Sequence, residues 1–301
     1  MRYGEKSAAA REVQKKLEAR GYTLPRYGAD GQLGEESWDA LQRYAADNGL
    51  PWAPEVPQLV VDLLLRGSQD VTVEIPAPVD GALPAGMRFY NLVPEQTDPH
   101  PKSRVVHGKT VRRAPSSITG VTIHQTAVVF GATKGAIAHA GGDKELAVAR
   151  RALNVACHML AFDGFIAQPA PLDWYLYHGN GFNGPDLGLE IEGRYPGLIG
   201  GRVWGDKPET DLTEQRVETA RTALRLLVSK GREAGYPIKY VHAHRQTSDT
   251  RRSDPGEALW KAVVLEYGVP KLGLVTESGK VLRKGRPVPL AWDEKNGVGD
   301  Y

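Results

Sequence analysis

An α/β domain built on a mixed β-sheet flanked by helices, preceded by a small all-α unit, is the fold class this sequence predicts. Three observations predict it. The first 65 or so residues carry helical periodicity. From Ile118 onward, short strand-like runs alternate with helical stretches. The length of 301 residues suits two domains, or one with substantial additions.

Each element follows in order. Val13 and Leu17 stand four apart among good helix formers, with Ala9 and Ala10 one turn earlier. A glycine-punctuated loop, Gly28 to Gly34, precedes a second helix carrying Trp38, Leu41 and Ala45. A third helix after Pro57 is expected to carry Leu59, Val60, Leu63 and Leu64. These three helices define an N-terminal domain over residues 1–67. Residues 68–117 hold seven spaced prolines, among them Pro84, Pro94 and Pro115, and read as a connector laid partly against the next domain. Within it, Lys102 to Arg113 holds five Lys/Arg and no acid: a solvated strip, or a contact for an acidic polymer.

Residues 118–268 form the α/β domain. Ile118 to Thr126 reads as a strand and Lys144 to Ala156 as a helix. His158 to Phe162 and Phe165 to Gln168 flank Asp163-Gly164, a hairpin signature. Leu187 to Glu192 alternates as a half-buried strand, which puts Glu190 and Glu192 on one side with one of the two expected at the surface. Thr213 to Gly231 is an amphipathic helix, and Ile238 to His242 a strand. Pro255 is placed to open a last helix. Residues 269–301 form a tail, with Leu272 to Thr276 and Val281 to Leu290 expected as a hairpin around Ser278-Gly279.

Composition narrows the function classes. Charges nearly cancel, 38 basic against 36 acidic, which argues against nucleic-acid binding through a uniformly basic surface. No apolar run reaches the roughly 18–20 residues of a membrane span. The lone Cys157 excludes an internal disulfide framework and a cysteine-rich zinc module. The first residues lack the apolar core of a secretory signal, so synthesis in the cytoplasm without a signal peptide is expected.

The histidines carry the chemical information. His124 ends one apolar strand, His242 and His244 end another, and Asp254 follows His244 by ten residues. Two imidazoles and a carboxylate make an open zinc site with a position left for water. Spacing alone leaves structural roles for one or more of these histidines equally open. A glutamate beside such a site, Glu190 by the alternation, can take a proton from water and pass it to a leaving amine.

Several ordered blocks resemble zinc-dependent N-acetylmuramoyl-L-alanine amidases. They are Ile123-His124-Gln125-Thr126-Ala127, Leu187 to Gly193, and His244-Arg245 with Arg251-Arg252-Ser253-Asp254-Pro255-Gly256. Cys157 to Leu160 leading into Asp163-Gly164, and Tyr177-His178-Gly179, resemble intervening family segments in the right order. The N-terminal domain is similar to three-helix peptidoglycan-binding domains through Val13 to Leu17, Gly21-Tyr22, Asp30 to Gly34 and Trp38 to Leu41.

The amidase resemblance implies one Zn2+ per chain on His124, His244 and Asp254. It implies cleavage by zinc-activated water of the amide joining the lactyl group of N-acetylmuramic acid to L-alanine of the stem peptide. Glu190 matches the acidic catalytic position. Arg252 stands where many relatives have lysine, and an arginine there acts on the oxyanion electrostatically. Gln125 replaces a second histidine, and Cys157 stands where some relatives place a catalytic tyrosine. His178 and Asn183, in a Gly/Asn-rich loop, are expected to line the substrate groove, His158 to be structural, and the role of His242 is open.

The expected partner is bacterial peptidoglycan. A noncatalytic peptidoglycan-recognition protein and a structural component of a phage or secretion device are the alternatives. An endolysin-like enzyme, acting on the wall after release or delivery, fits the absence of an export signal.

Overall fold

The computed structural model describes residues 3–47, 83–195, 210–251 and 253–289. The expected third helix of the N-terminal domain, the start of the connector and Arg252 lie outside them. The chain divides into two compact units, residues 1–77 with 269–277 and residues 78–268 with 278–301.

In the first unit, α1 (Ala8–Glu18) starts at Ser7, whose side chain accepts a hydrogen bond from the Ala10 N–H. It buries Ala10, Val13 and Leu17 against Trp38, Leu41 and Tyr44 of α2 (Glu35–Asp47). Gln14, a polar residue on that buried face, organises the loop between the helices. Its Nε2 donates to Ser37 Oγ at 2.7 Å and to Asp30 Oδ1 at 2.9 Å, and its Oε1 accepts from the Gly31 N–H at 2.6 Å. The loop is thereby fixed by one side chain whose polar atoms are all satisfied.

The second unit is built on six strands of a mixed sheet: β1 (Arg88–Asn91), β4 (Gly120–Gln125), β5 (Met159–Ala161), β6 (Phe165–Gln168), β7 (Asp186–Ile191) and β8 (Tyr240–Ala243). Their order is β1-β6-β5-β7-β4-β8. A small antiparallel pair, β2 (Val105–Val106) and β3 (Lys109–Thr110), stands apart. The predicted hairpin forms: β5 and β6 are antiparallel around Asp163-Gly164, with Gly164 at φ +90°. Residues 83–117 are more than a connector, because β1 pairs in parallel with β6 at the sheet edge.

The centre of the sheet is parallel: β4 runs between β7 and β8, and β5 joins β7. Both faces are covered, so Gly188 is buried as fully as its apolar neighbours Leu187 and Leu189. The long helix α5 (Glu214–Glu233) lies against β5, β6 and β7 and buries Ala220, Ala223, Leu224 and Leu227. Two short helices, α3 (Lys134–His139) and α4 (Lys144–Ala149), lead into the hairpin.

Three further expectations differ from the structure. The helix expected over Lys144 to Ala156 is α-helical only to Ala149 and tightens into a 3-10 turn over Arg150–Asn154. The last helix opens at Glu257 after Gly256, because Asp254 is engaged in a turn in which its carbonyl accepts from the Arg245 N–H. No second strand forms over residues 281–289. That stretch instead runs along the His244–Thr247 turn, with the Leu282 N–H on the Gln246 carbonyl and the Arg286 N–H on the Arg245 carbonyl. Among the described residues no helix is long and apolar enough to cross a membrane.

Candidate metal centre

The parallel register assembles the site. Across β4 and β7, His124 stands opposite Glu190; across β4 and β8, Ile123 stands opposite Ala243, so His244 follows at the level of His124. Glu190, His124 and His244 therefore form a row where three adjacent parallel strands end, the edge at which open α/β sheets place ligands. The rings of His124 and His244 lie 4.5 Å apart between centroids.

Asp254 closes the row from the turn that follows. Its Oδ2 is 2.7 Å from His244 Nδ1, and its Oδ1 accepts from the Gln125 N–H at 3.0 Å. The potential ligand atoms of His124, His244 and Asp254 all lie within 4.8 Å of one another, so the three form a group able to hold a metal ion. The donor set fits a borderline-soft dication such as Zn2+, which takes imidazole nitrogen and carboxylate oxygen in open catalytic sites. Burial first, and then the charge of His244, hold the His124 pKa well below the usual histidine range. The ring is therefore neutral at pH 7, the form a metal ligand needs.

Glu190 is the acidic neighbour of this group. The residue is half-buried, yet its Oε2 is enclosed and accepts no hydrogen bond from a described residue. Burial, and after it the Asp254 carboxylate, push the Glu190 pKa up to about 8, while the positive charges of Arg251 and Lys102 oppose the shift. Glu192 is not exposed either. It lies beyond the end of β7, outside the strand alternation, and its Oε1 accepts from the Phe130 N–H at 2.7 Å.

Beneath the row lies a polar floor. Asp186 Oδ2 accepts from Thr122 Oγ1 at 2.6 Å and from His242 Nδ1 at 2.7 Å, and the His242 ring stacks on Phe182 at 4.1 Å. His242 thus supports the strand that delivers His244. His158 is buried, with its Nδ1 accepting from the Gly188 N–H and its Nε2 on the Trp174 carbonyl. Arg113, the last cation of the basic strip, is buried too and donates to the carbonyls of Asn183, Gly184, Asp186 and Leu172.

The two residues expected in the substrate groove are buried. His178 Nδ1 is 3.2 Å from His124 Nε2, and Asn183 Oδ1 accepts from the Gly179 N–H at 2.6 Å. Gln125, noted in the sequence only as a departure, has a structural task. Its side-chain amide donates to the Ser253 carbonyl and its oxygen accepts from the Tyr195 N–H, tying β4 to the loop that carries Asp254. Cys157 is buried, and burial and then Glu190 push its thiol well above its ordinary value, which leaves it a poor nucleophile. Lys102, at the start of the basic strip, and Arg251, within the third resembling block, carry charges that act on Glu190, a role that sequence reasoning did not give them.

No curated protein matches the chain. Among solved structures it is similar to the endolysin amidase LysCS from Clostridium intestinale, at 21% identity over 49% of this chain and 81% of that one, TM-score 0.30. It is similar to the Ph2119 endolysin of a Thermus scotoductus bacteriophage, at 17% identity over 58% and 96%, TM-score 0.35. It is also similar to Drosophila PGRP-LB in complex with tracheal cytotoxin, at 19% identity over 62% and 96%, TM-score 0.36. Residues 114–257 match the family described as N-acetylmuramoyl-L-alanine amidase, a span that holds His124, Glu190, His244 and Asp254. The match spans just under half of the chain, 144 of its 301 residues.

Proposed function

We propose that the chain is a peptidoglycan hydrolase that cleaves the amide between the N-acetylmuramic acid lactyl group and L-alanine of the stem peptide, with Zn2+ on His124, His244 and Asp254. The observation that carries this reading is the complete donor group beside an enclosed carboxylate: the three potential ligands converge within 4.8 Å, and Glu190 occupies the next strand in register. Zn2+, when bound there, supplies Lewis acidity that makes water nucleophilic near neutral pH and polarises a carbonyl oxygen.

The remaining steps belong to the chain. Glu190 Oε2, enclosed and without a hydrogen-bond donor among the described residues, takes the proton from the attacking water. It then delivers that proton to the departing alanine nitrogen, which leaves as a neutral amine. A carboxylate raised toward neutral pH by burial and by Asp254 can hold the proton between these two events. Arg252 stabilises the oxyanion electrostatically in this reading, next to Arg251, whose charge is felt at Glu190 and at His124. His178 and Asn183 are buried, so they shape the groove through the residues they hold.

The N-terminal unit completes the reading as a peptidoglycan anchor, supported by its likeness to wall-binding three-helix domains. Together the two units describe an endolysin-like bacteriolytic enzyme. Two substitutions separate metal binding from proton transfer. Asp254→Ala is expected to lose Zn2+ and turnover together. Glu190→Gln is expected to keep Zn2+ and to lose turnover by about 10²–10⁴-fold, the usual share of a general acid–base group. Full activity in Glu190→Gln would remove Glu190 from the mechanism. Zn2+ retention without any turnover in the wild-type protein would favour a noncatalytic recognition protein.

A further inference from the structure

We infer that His178 is a positioning residue that fixes the tautomer of His124, so that Nδ1 of His124 is the nitrogen presented to the metal. The inference takes its purpose from the zinc reading above, but its content comes from hydrogen-bond accounting.

His178 Nε2 lies 3.2 Å from the carbonyl oxygen of Asp186, which can only accept, so Nε2 carries the hydrogen. In a neutral imidazole the other nitrogen is then an acceptor. His178 Nδ1 lies 3.2 Å from His124 Nε2, so His124 Nε2 is the donor of that bond. The single hydrogen of neutral His124 is thereby used on Nε2, and Nδ1 is left with its lone pair. The opposite polarity would require a doubly protonated His178. A cation there would be buried with only a backbone carbonyl and a second imidazole as hydrogen-bond partners.

The packing around His178 serves the same end. Its ring sits over Gly188 of β7, where a Cβ would come within 2.8 Å of the ring, so only glycine leaves room for it. The His158 ring stands edge-on at 5.6 Å, itself held by the Gly188 N–H and the Trp174 carbonyl. His178 in turn meets His124 nearly perpendicularly, at 83° and 5.3 Å between centroids. Asp186 is the hub of the arrangement. Its carbonyl sets His178 beneath one proposed ligand, and its carboxylate holds His242, two residues before the other. Outer-shell partners of this kind orient ligating histidines and raise their basicity.

The test uses the full chain, labelled with 15N at histidine and free of zinc. Two-bond proton–nitrogen correlations at neutral pH are expected to show His124 protonated at Nε2 and bare at Nδ1; the Nδ1–H tautomer would overturn the inference. The second arm measures Zn2+ affinity by competition with a chromophoric chelator. Folded His178→Phe is expected to bind Zn2+ about 10–100-fold more weakly, the usual cost of losing such a partner. His178→Asn, whose amide oxygen can replace the Nδ1 acceptor, is expected to recover most of that loss. Unchanged affinity in His178→Phe, or equal losses in both variants, would overturn the inference. If His178→Phe does not fold, the tautomer measured in the wild-type protein still decides. Wild-type protein that binds no Zn2+ would reject the proposed function, and the tautomer would remain a separate result.

Discussion

At the scale of single residues, the site is governed by burial. His158 and His100 are held neutral chiefly by burial, well below the ordinary 6.5 for His158 and in the same direction for His100. A histidine whose pKa is depressed in the folded state contributes stability that is fully present above the unfolded value. That stability is lost as pH falls below about 6.5, by about 1.4 kcal/mol per pH unit for each such ring until the folded pKa is reached. Zinc-free protein is therefore expected to show a lower urea midpoint at pH 5.5 than at pH 7.5, and equal midpoints would contradict the assignment. Cys157 should resist alkylation in the native protein and react once urea exposes it; rapid native labelling would show an accessible thiol. The residues that reveal themselves in sequence are those whose type and order matter: His124, Glu190, His244 and Asp254. Gln125, Asp186 and Arg113 carry no comparable signal, because their tasks depend on which backbone groups the fold brings to them.

At the scale of elements, strands with a local signature were legible and strands defined by distant partners were not. The β5–β6 hairpin is written in Asp163-Gly164, and α5 in its apolar stripe. β1, between Pro84 and Pro94, is a strand only because Phe165 to Gln168 offer it a parallel edge. The half-buried alternation expected at β7 became burial on both faces, as a central strand of a covered sheet requires. The tail behaves likewise. Gln246 Nε2 donates to the Lys280 carbonyl at 2.8 Å, and the Leu282 and Arg286 N–H groups donate to carbonyls of the turn that begins at His244. Gly285 packs so close to the Gln246 carbonyl that a Cβ there would overlap it. Loss of these three bonds is expected to cost about 2–4 kcal/mol in total. Gly285→Val should accordingly lower both the thermal midpoint and Zn2+ affinity, whereas an unchanged variant would show that the tail does not brace the turn.

At the scale of the whole molecule, the structure divides into two compact units. The first has its own core of Val13, Leu17, Leu33, Trp38 and Leu41, independent of the chemistry. Deleting residues 1–67 is expected to weaken retention on insoluble sacculi and to leave turnover of soluble fragments nearly unchanged. A parallel fall in both would mean that the unit supports the catalytic fold. Mass spectrometry of intact sacculi digested by the zinc-loaded protein reads directly which bond is cut. Released stem peptides with a free L-alanine amine are expected, alongside glycan strands that gain no new reducing ends. New reducing ends without the free alanine amine would contradict amidase activity.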